Sequence, residues 1–248
     1  MRLKELETYL NQLLDIARFR DYCPNGVQVE GRSEVRRLIS GVTASLDFLE
    51  AAAAADADAV LVHHGYFWRG EDPCLVDAKY RRISFLMKYR IGVFAYHLPL
   101  DAHAELGNNT QLARKLGFAE HGRFGDQAIA MQGSLQSKMS VTELSSHIGR
   151  ILSRKPLVIG DDDKPLQRVA WCTGAAQDYF EEAIRLGMDA FITGEISERI
   201  VHIARESGVA FIAAGHHATE RYGVQAVGEH LARKFEIDHR FIDLDSPV

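Results

Sequence analysis

Residues 41–65, GVTASLDFLEAAAAADADAVLVHHG, decide the fold class. They continue an apolar run, RRLISGVTAS (36–45), that reads as a buried strand. LDFLEAAAAADA (46–57) is rich in alanine and leucine and predicts a helix. DAVLVHHG (58–65) is a second apolar run of strand length, closed by glycine. Two strands joined through a helix make a parallel crossover unit. The same layout returns in WCTGAAQDYFEEAIRLGMDAFITGEI (171–196). Thr43 matches Thr173, and Asp58-Ala59 matches Asp189-Ala190 with one residue of slippage. Leu112-Ala113-Arg114-Lys115 returns as Leu231-Ala232-Arg233-Lys234, and at that offset His97 falls on His216 and Asp101 on Glu220. Several matches in one order predict an internal duplication. The period is far longer than a solenoid repeat, so two related α/β lobes are expected rather than an array.

The flanking sequence supports α/β architecture with mainly parallel pairing. Leu3, Leu6, Leu10, Leu13 and Leu14 recur at helical spacing, and the helix they predict ends before DYCPNGVQVEG (21–31), where Pro24, Asn25 and Gly26 mark a turn. IGVFAYHLPLDAH (91–103) reads as a strand running into a loop, and GNNTQLARKLG (107–117) as a short helix. Ser140 and Glu143 form a capping box before a helix through about Leu152. Asp161–Asp163 could suggest a metal site, but a solvated loop explains them.

Composition narrows the function. With 46% apolar and 25% charged residues the chain has the make-up of a globular protein. A net charge of −5 argues against a general nucleic-acid binder. Cys23, Cys74 and Cys172 are far apart and form no C-x-x-C, which argues against a disulfide framework and fits a reducing compartment. The N-terminus lacks the pattern of a secretory signal, and no apolar run is long enough to span a membrane. A cytoplasmic protein is expected. No P-loop, G-x-G-x-x-G or nucleophile-elbow motif occurs.

The histidines concentrate in HHG (63–65), HLPLD (97–101) and GHHATE (215–220), each after an apolar run. Ligands of open α/β sheets bind beyond strand carboxyl ends, so these three stretches are candidates for one crevice. Imidazole and carboxylate without thiolate suit Zn, Mn, Fe, Co or Ni. His216 and Glu220, four apart, share a helical face. In an ideal strand His63 and His64 point to opposite sides, but a frayed strand end can turn both inward. His63, His64, Asp101, His216 and Glu220 are too many donors for one four-coordinate ion that keeps a water. They suit two ions about 3.5–4 Å apart, a hydrolytic arrangement. The competing explanation is an anion pocket of protonated histidines, against which the carboxylates at 101 and 220 count. His103, His121, His147, His202, His230 and His239 stand outside the motifs and read as surface residues. Tyr66–Arg90 mixes Phe67, Trp68, Arg69, Lys79, Arg81 and Arg82. Either it stacks a base and holds phosphates, or it is an amphipathic helix packed by Tyr80, Ile83, Phe85 and Met87.

Taken in order, DYCPNGVQVEG, GVTAS, DAVLVHHGYFW, HLPLDAHAELGNN, WCTG, DAFITGE and AAGHHATE resemble the dinuclear-metal proteins related to the NGG-interacting factor, often labelled GTP cyclohydrolase 1 type 2 homologues. The resemblance covers essentially the whole chain. Many members of that family have HHP where this chain has Gly65. The resemblance implies two intertwined α/β lobes with a two-metal site between them. One lobe is expected over residues 1–125 and 205–248, carrying most metal ligands, and the other over 126–204. It implies two divalent metal ions per subunit, with His63, His64, Asp101, His216 and Glu220 as ligands and Glu220 bridging. His97 would lie in the site and orient a ligand or transfer a proton. It implies a toroidal homohexamer, a trimer of dimers. The label implies hydrolytic opening of a guanine ring by metal-bound hydroxide. The alternative is a non-enzymatic metal-stabilised ring that binds a protein or nucleic-acid partner.

Overall fold

The computed structural model describes residues 1–248, which form two sheets and nine helices. In chain order the elements are α1 (Leu3–Leu13), β1 (Gly26–Val29), β2 (Arg37–Thr43), α2 (Leu46–Ala54), β3 (Ala59–His64), α3 (Asp77–Tyr89), β4 (Gly92–Ala95), α4 (Leu98–Ala102), α5 (Asn108–Leu116), β5 (Ala119–Phe124), β6 (Ala130–Ser140), α6 (Val141–Leu152), β7 (Leu157–Ile159), β8 (Pro165–Trp171), α7 (Phe180–Arg185), β9 (Ala190–Thr193), α8 (Glu198–Ser207), β10 (Ala210–Ala213), α9 (His216–Phe235) and β11 (Asp238–Phe241). Two compact units result. The first is Met1–Leu106 with Gly223–Asp245, and the second is Gly107–Tyr222 with Ser246–Val248. The chain changes unit at 106/107, 222/223 and 245/246; the first two changes fall there rather than near residues 125 and 204 because β5 and β10 hydrogen-bond into the second sheet.

The first unit carries a sheet in the order β1-β4-β3-β2-β11, parallel except for β1. Alternate strand residues cover its two faces, as the pleat requires. Leu38, Leu61 and Phe94 pack under α1 and the later turns of α9, through Leu3, Leu6, Leu10, Val224, Val227 and Leu231. Ile39, Val60, Val62 and Val93 pack under α2 and α3, through Phe48, Leu49, Ile83 and Leu86. Burial on both faces explains why β2 and β3 read as near-continuous apolar runs. The stretch 91–103 ends in the short helix α4 rather than a loop, because Pro99 sits in its first turn, where a missing N–H costs nothing. In α3 the buried residues are Ile83 and Leu86, with Phe85 partly buried against the same core as expected; Tyr80 and Met87, also expected to pack, are exposed.

The second unit carries the order β5-β6-β8-β9-β10-β7, with β8, β9 and β10 parallel and antiparallel strands outside them. Pairing is therefore mixed, more so than expected. Trp171, Ile192 and Ile212 meet α5 and α6 on one face. Phe180 of α7 meets Phe191 and Phe211 on the other. The capping box at Ser140 and Glu143 is present at the start of α6.

The two units repeat a bond pattern as well as an element order. Asp58 accepts from the Arg36 and Arg37 amides at 2.8 and 2.9 Å, before and into β2. Asp189 accepts from the Gln167 and Arg168 amides at 3.0 and 2.8 Å in β8. Each aspartate also donates its own N–H to the arginine carbonyl of that strand. The aspartate of each "-DA-" therefore ties a strand start to its neighbour, as expected for two copies of one unit. Burial would raise both carboxyls, but the amide bonds and nearby arginines outweigh it and hold them below the usual range. Stabilisation from a depressed carboxylate is present above its unfolded value near ~3.9 and is lost as pH falls through the lower folded value. Asp58→Ala is expected to cost about 2 kcal/mol at neutral pH, by leaving two amides without their acceptor. Urea unfolding should show the gap from the parent closing as pH drops below the usual carboxylate range.

Several histidines outside the motifs hold structural bonds instead of lying free on the surface. His239 meets Ser40 Oγ at 2.8 Å, His230 meets Tyr9 Oη at 2.5 Å, and His147 Nε2 donates to the Leu116 carbonyl at 3.0 Å. His121 and His202 are exposed as expected, and Asp161–Asp163 form an exposed turn.

Candidate metal centre

In the first unit the candidate donors sit at the carboxyl ends of β3 and β4. His63 and His64 close β3; His97 follows β4, and Asp101 lies in α4. His63 is wholly buried and Asp101 nearly so. The strand end turns enough to bring the two adjacent rings together, with centroids 4.5 Å apart, and His97 lies 5.1 Å from His63. Donor atoms of His63, His64 and His97 fall within 4.8 Å of one another. His63 Nδ1 lies 2.9 Å from the Tyr96 carbonyl. A carbonyl only accepts, so Nδ1 donates to it and Nε2 is the nitrogen that faces Asp101. That Nε2 is 3.5 Å from Asp101 Oδ1. His64 Nδ1 meets Thr43 Oγ1 at 3.3 Å.

His97 is held by a residue that spacing did not reveal. Its Nδ1 lies 2.7 Å from Asp21 Oδ1, and Asp21 Oδ2 accepts from the Leu98 amide and Asn25 Nδ2, both at 2.9 Å. Burial works to raise the Asp21 carboxyl, but these bonds outweigh it and hold it below its usual value. An ionised Asp21 accepts from His97 Nδ1 and leaves Nε2 as the ring nitrogen open to other partners.

Gly65 is required by its surroundings. Gln28 clamps the chain after the histidines, its Oε1 accepting from the Tyr66 amide at 2.6 Å and its Nε2 donating to the Tyr66 carbonyl at 3.0 Å. A Cβ on Gly65 would collide with Gln28 Oε1 and lie 2.7 Å from Ala95 Cβ.

In the second unit His216 and Glu220 open α9, one turn apart on the same face. His216 Nε2 is 3.1 Å from Glu220 Oε2, and its Nδ1 is 2.6 Å from Glu195 Oε1. Burial pulls the His216 imidazolium down, but the two carboxylates prevail and raise it to about 9. So much negative charge around one imidazole is a setting that favours a cation. The strand-end loops are stitched around this helix start. Gly174 O accepts from the Gly194 amide at 2.8 Å and Thr193 Oγ1 at 3.0 Å, while Thr219 Oγ1 accepts from the Gly174 amide at 3.1 Å. Gly174, at φ +72°, has no room for a Cβ beside Glu220 Oε1.

The donor chemistry fits divalent ions of the Zn, Mn, Fe, Co or Ni type. Two imidazoles are oriented through Nδ1, and each presents Nε2 beside a carboxylate of its own unit. Glu195→Gln keeps the shape but removes the charge behind His216. It is expected to weaken metal binding about 10–100-fold, read by calorimetric titration.

A family model described as Duf34/NIF3 (NGG1p interacting factor 3) matches residues 1–247. The GTP cyclohydrolase 1 type 2 homolog of Pseudomonas aeruginosa is 54% identical over 249 residues, covering 99% of this chain and 98% of that protein. The solved structure of protein ybgI is 47% identical, covers 100% of both chains and superposes with a TM-score of 0.96. A solved protein from Thermus thermophilus is 32% identical, again over 100% of both chains, with a TM-score of 0.90. No helix of this chain is long and apolar enough to cross a membrane.

Proposed function

The chain belongs to the Duf34/NIF3 family, and from that premise we propose that it is a dinuclear metal-dependent hydrolase acting on a nucleotide or related nitrogen heterocycle. The observation that carries this is the repeated pair of an oriented imidazole and a buried carboxylate, His63 with Asp101 and His216 with Glu220. His63, His64, Asp101, His216 and Glu220 would hold two divalent ions, with Glu220 shared between them. Such ions supply Lewis acidity and lower the pKa of bound water. The name shared by the relatives points to hydrolytic ring opening as the reaction class. In such a reaction a ring carbon gains an oxygen from water, and the departing ring nitrogen gains a proton. His97 carries that proton at Nε2, while the Asp21 carboxylate bound to Nδ1 stabilises the imidazolium. The test is a panel of purine and pyrimidine nucleotides incubated with protein loaded separately with each candidate metal. A product heavier by one water is expected from at least one nucleotide. Absence of turnover with every metal would overturn the enzymatic assignment.

We also propose that the chain assembles with copies of itself. Leu75 and Val76 before α3, and Tyr80 and Met87 seven residues apart on one face of it, are about half exposed or more. Light scattering is expected to give a particle six times the mass of the 27.7 kDa chain. The double variant Tyr80→Glu, Met87→Glu should yield a smaller species. A monomeric parent protein would refute self-assembly.

A further inference from the structure

The segment after the two histidines has a conformation that local sequence would not choose. Phe67 sits at φ +64°, a left-handed backbone that bulky residues rarely adopt. Such strain persists only where the surroundings enforce it, and it clusters at functional sites. Here the enforcement is visible. Gln28 grips both backbone groups of Tyr66, and the Arg69 amide donates to the Tyr22 carbonyl at 2.6 Å. Arg69 Nη2 donates to the Asp21 carbonyl at 2.9 Å, and Glu71 Oε2 accepts from the Trp68 amide at 3.1 Å. These bonds bring Trp68 against the histidines. Its ring centroid is 5.0 Å from His97 at an interplanar angle of 87°, and 6.0 Å from His64. Tyr22, 57% exposed, lies 6.4 Å from the same His97 ring.

A core aromatic would be buried among apolar side chains. Trp68 is only half-buried, and Tyr22 faces solvent, so hydrophobic burial does not explain the strained turn. We propose that Trp68, with Tyr22 beside it, is a stacking platform for a planar heteroaromatic ring, and that it is the element selecting ring-bearing substrates over other phosphorylated molecules. A flat π-face stacks any nucleobase-like ring, gaining an interaction that a phosphorylated sugar without a base lacks. The platform rests on the hydrolytic assignment above for the identity of the ligand as a substrate. Its contacts with the ring stand apart from any turnover.

The test uses the full chain loaded with Zn²⁺ or Mn²⁺. AMP, GMP, CMP and UMP are titrated against ribose 5-phosphate. At least one nucleotide is expected to bind about tenfold or more tightly than ribose 5-phosphate, and Trp68→Leu should erase most of that difference, as loss of a base-stacking aromatic does. Trp68→Phe should keep most of it, and circular dichroism checks that each variant is folded. Trp68 and the wholly buried Trp171 are the two tryptophans, so nucleotide-dependent quenching that vanishes in Trp68→Phe locates the ring. Equal affinity for ribose 5-phosphate and every nucleotide, or unchanged nucleotide affinity in a folded Trp68→Leu, would overturn the platform. Nucleotides that bind through Trp68 but are turned over with none of the candidate metals would support the platform and sink the hydrolytic assignment. Turnover undiminished in Trp68→Leu would do the reverse.

Discussion

Glu220→Ala should leave the purified protein with no more than one tightly held divalent ion per chain and without hydrolytic turnover. Glu220 is buried to 3% exposure, and its carboxylate lies one helical turn from His216 with an oxygen 3.1 Å from Nε2. A carboxylate shared between two ions would offer an oxygen to each, so its loss would weaken both sites at once. The effect should exceed the roughly 10–100-fold expected for a group that would act only through a ligand, as Glu195 would through His216. Elemental analysis after dialysis counts the ions, and circular dichroism confirms the fold. Glu220→Gln separates charge from shape, because the amide fills the same space but is a poor metal donor. A Glu220→Gln protein that retains two ions per chain would sink the bridging role. Asp101→Ala should likewise abolish turnover, and full activity in it would count against the whole donor set.

The second large effect is expected at a residue with no donor atom in its side chain. A Cβ on Gly194 would lie 2.6 Å from the Gly174 carbonyl oxygen, 2.6 Å from His216 Cα and 2.8 Å from His216 N. All three are backbone atoms, so no side chain can swing away. Gly194→Ala must therefore push the start of α9 from the strand ends, breaking bonds such as Gly215 N–H to the Gly194 carbonyl at 3.0 Å. The cost should reach about 3 kcal/mol, the upper end for overpacking, together with weakened metal binding at His216 and Glu220. Gly208→Ala is the control. Its φ is +67°, but nothing lies within 4 Å of the added carbon. It should cost only the left-handed backbone strain, about 1–2 kcal/mol, with metal affinity intact. Urea unfolding and calorimetric metal titration of the two variants read both quantities. Equal behaviour of the two would remove Gly194 from the architecture of the centre.

Much of this was legible in the sequence. The β2–α2–β3 unit is readable because strands buried on both faces leave unbroken apolar runs, and alanine and leucine mark the helix between them. The repeat that paired Asp58 with Asp189 is matched in the structure, where those two aspartates make the same amide bonds. Other features were not legible. Asp21 is 76 residues from the histidine it orients, and Glu195 is 21 residues from His216. No periodicity connects such partners. In α3 the pattern allowed more than one apolar stripe, and packing against α2 selected Ile83 and Leu86 over Tyr80 and Met87. The unit boundaries followed the hydrogen bonding of β5 and β10, which composition does not encode.

By itself the sequence determined the crossover units, their repetition and the kinds of donor atom at the strand ends. These depend on local period and residue type, which the chain displays directly. Only the tertiary structure decided which carboxylate orients which imidazole, which ring nitrogen each of those bonds takes, and why residues 65, 174 and 194 must be glycine. Those outcomes rest on hydrogen bonds and steric limits between residues distant in the chain, and they exist only once the strand ends are brought together.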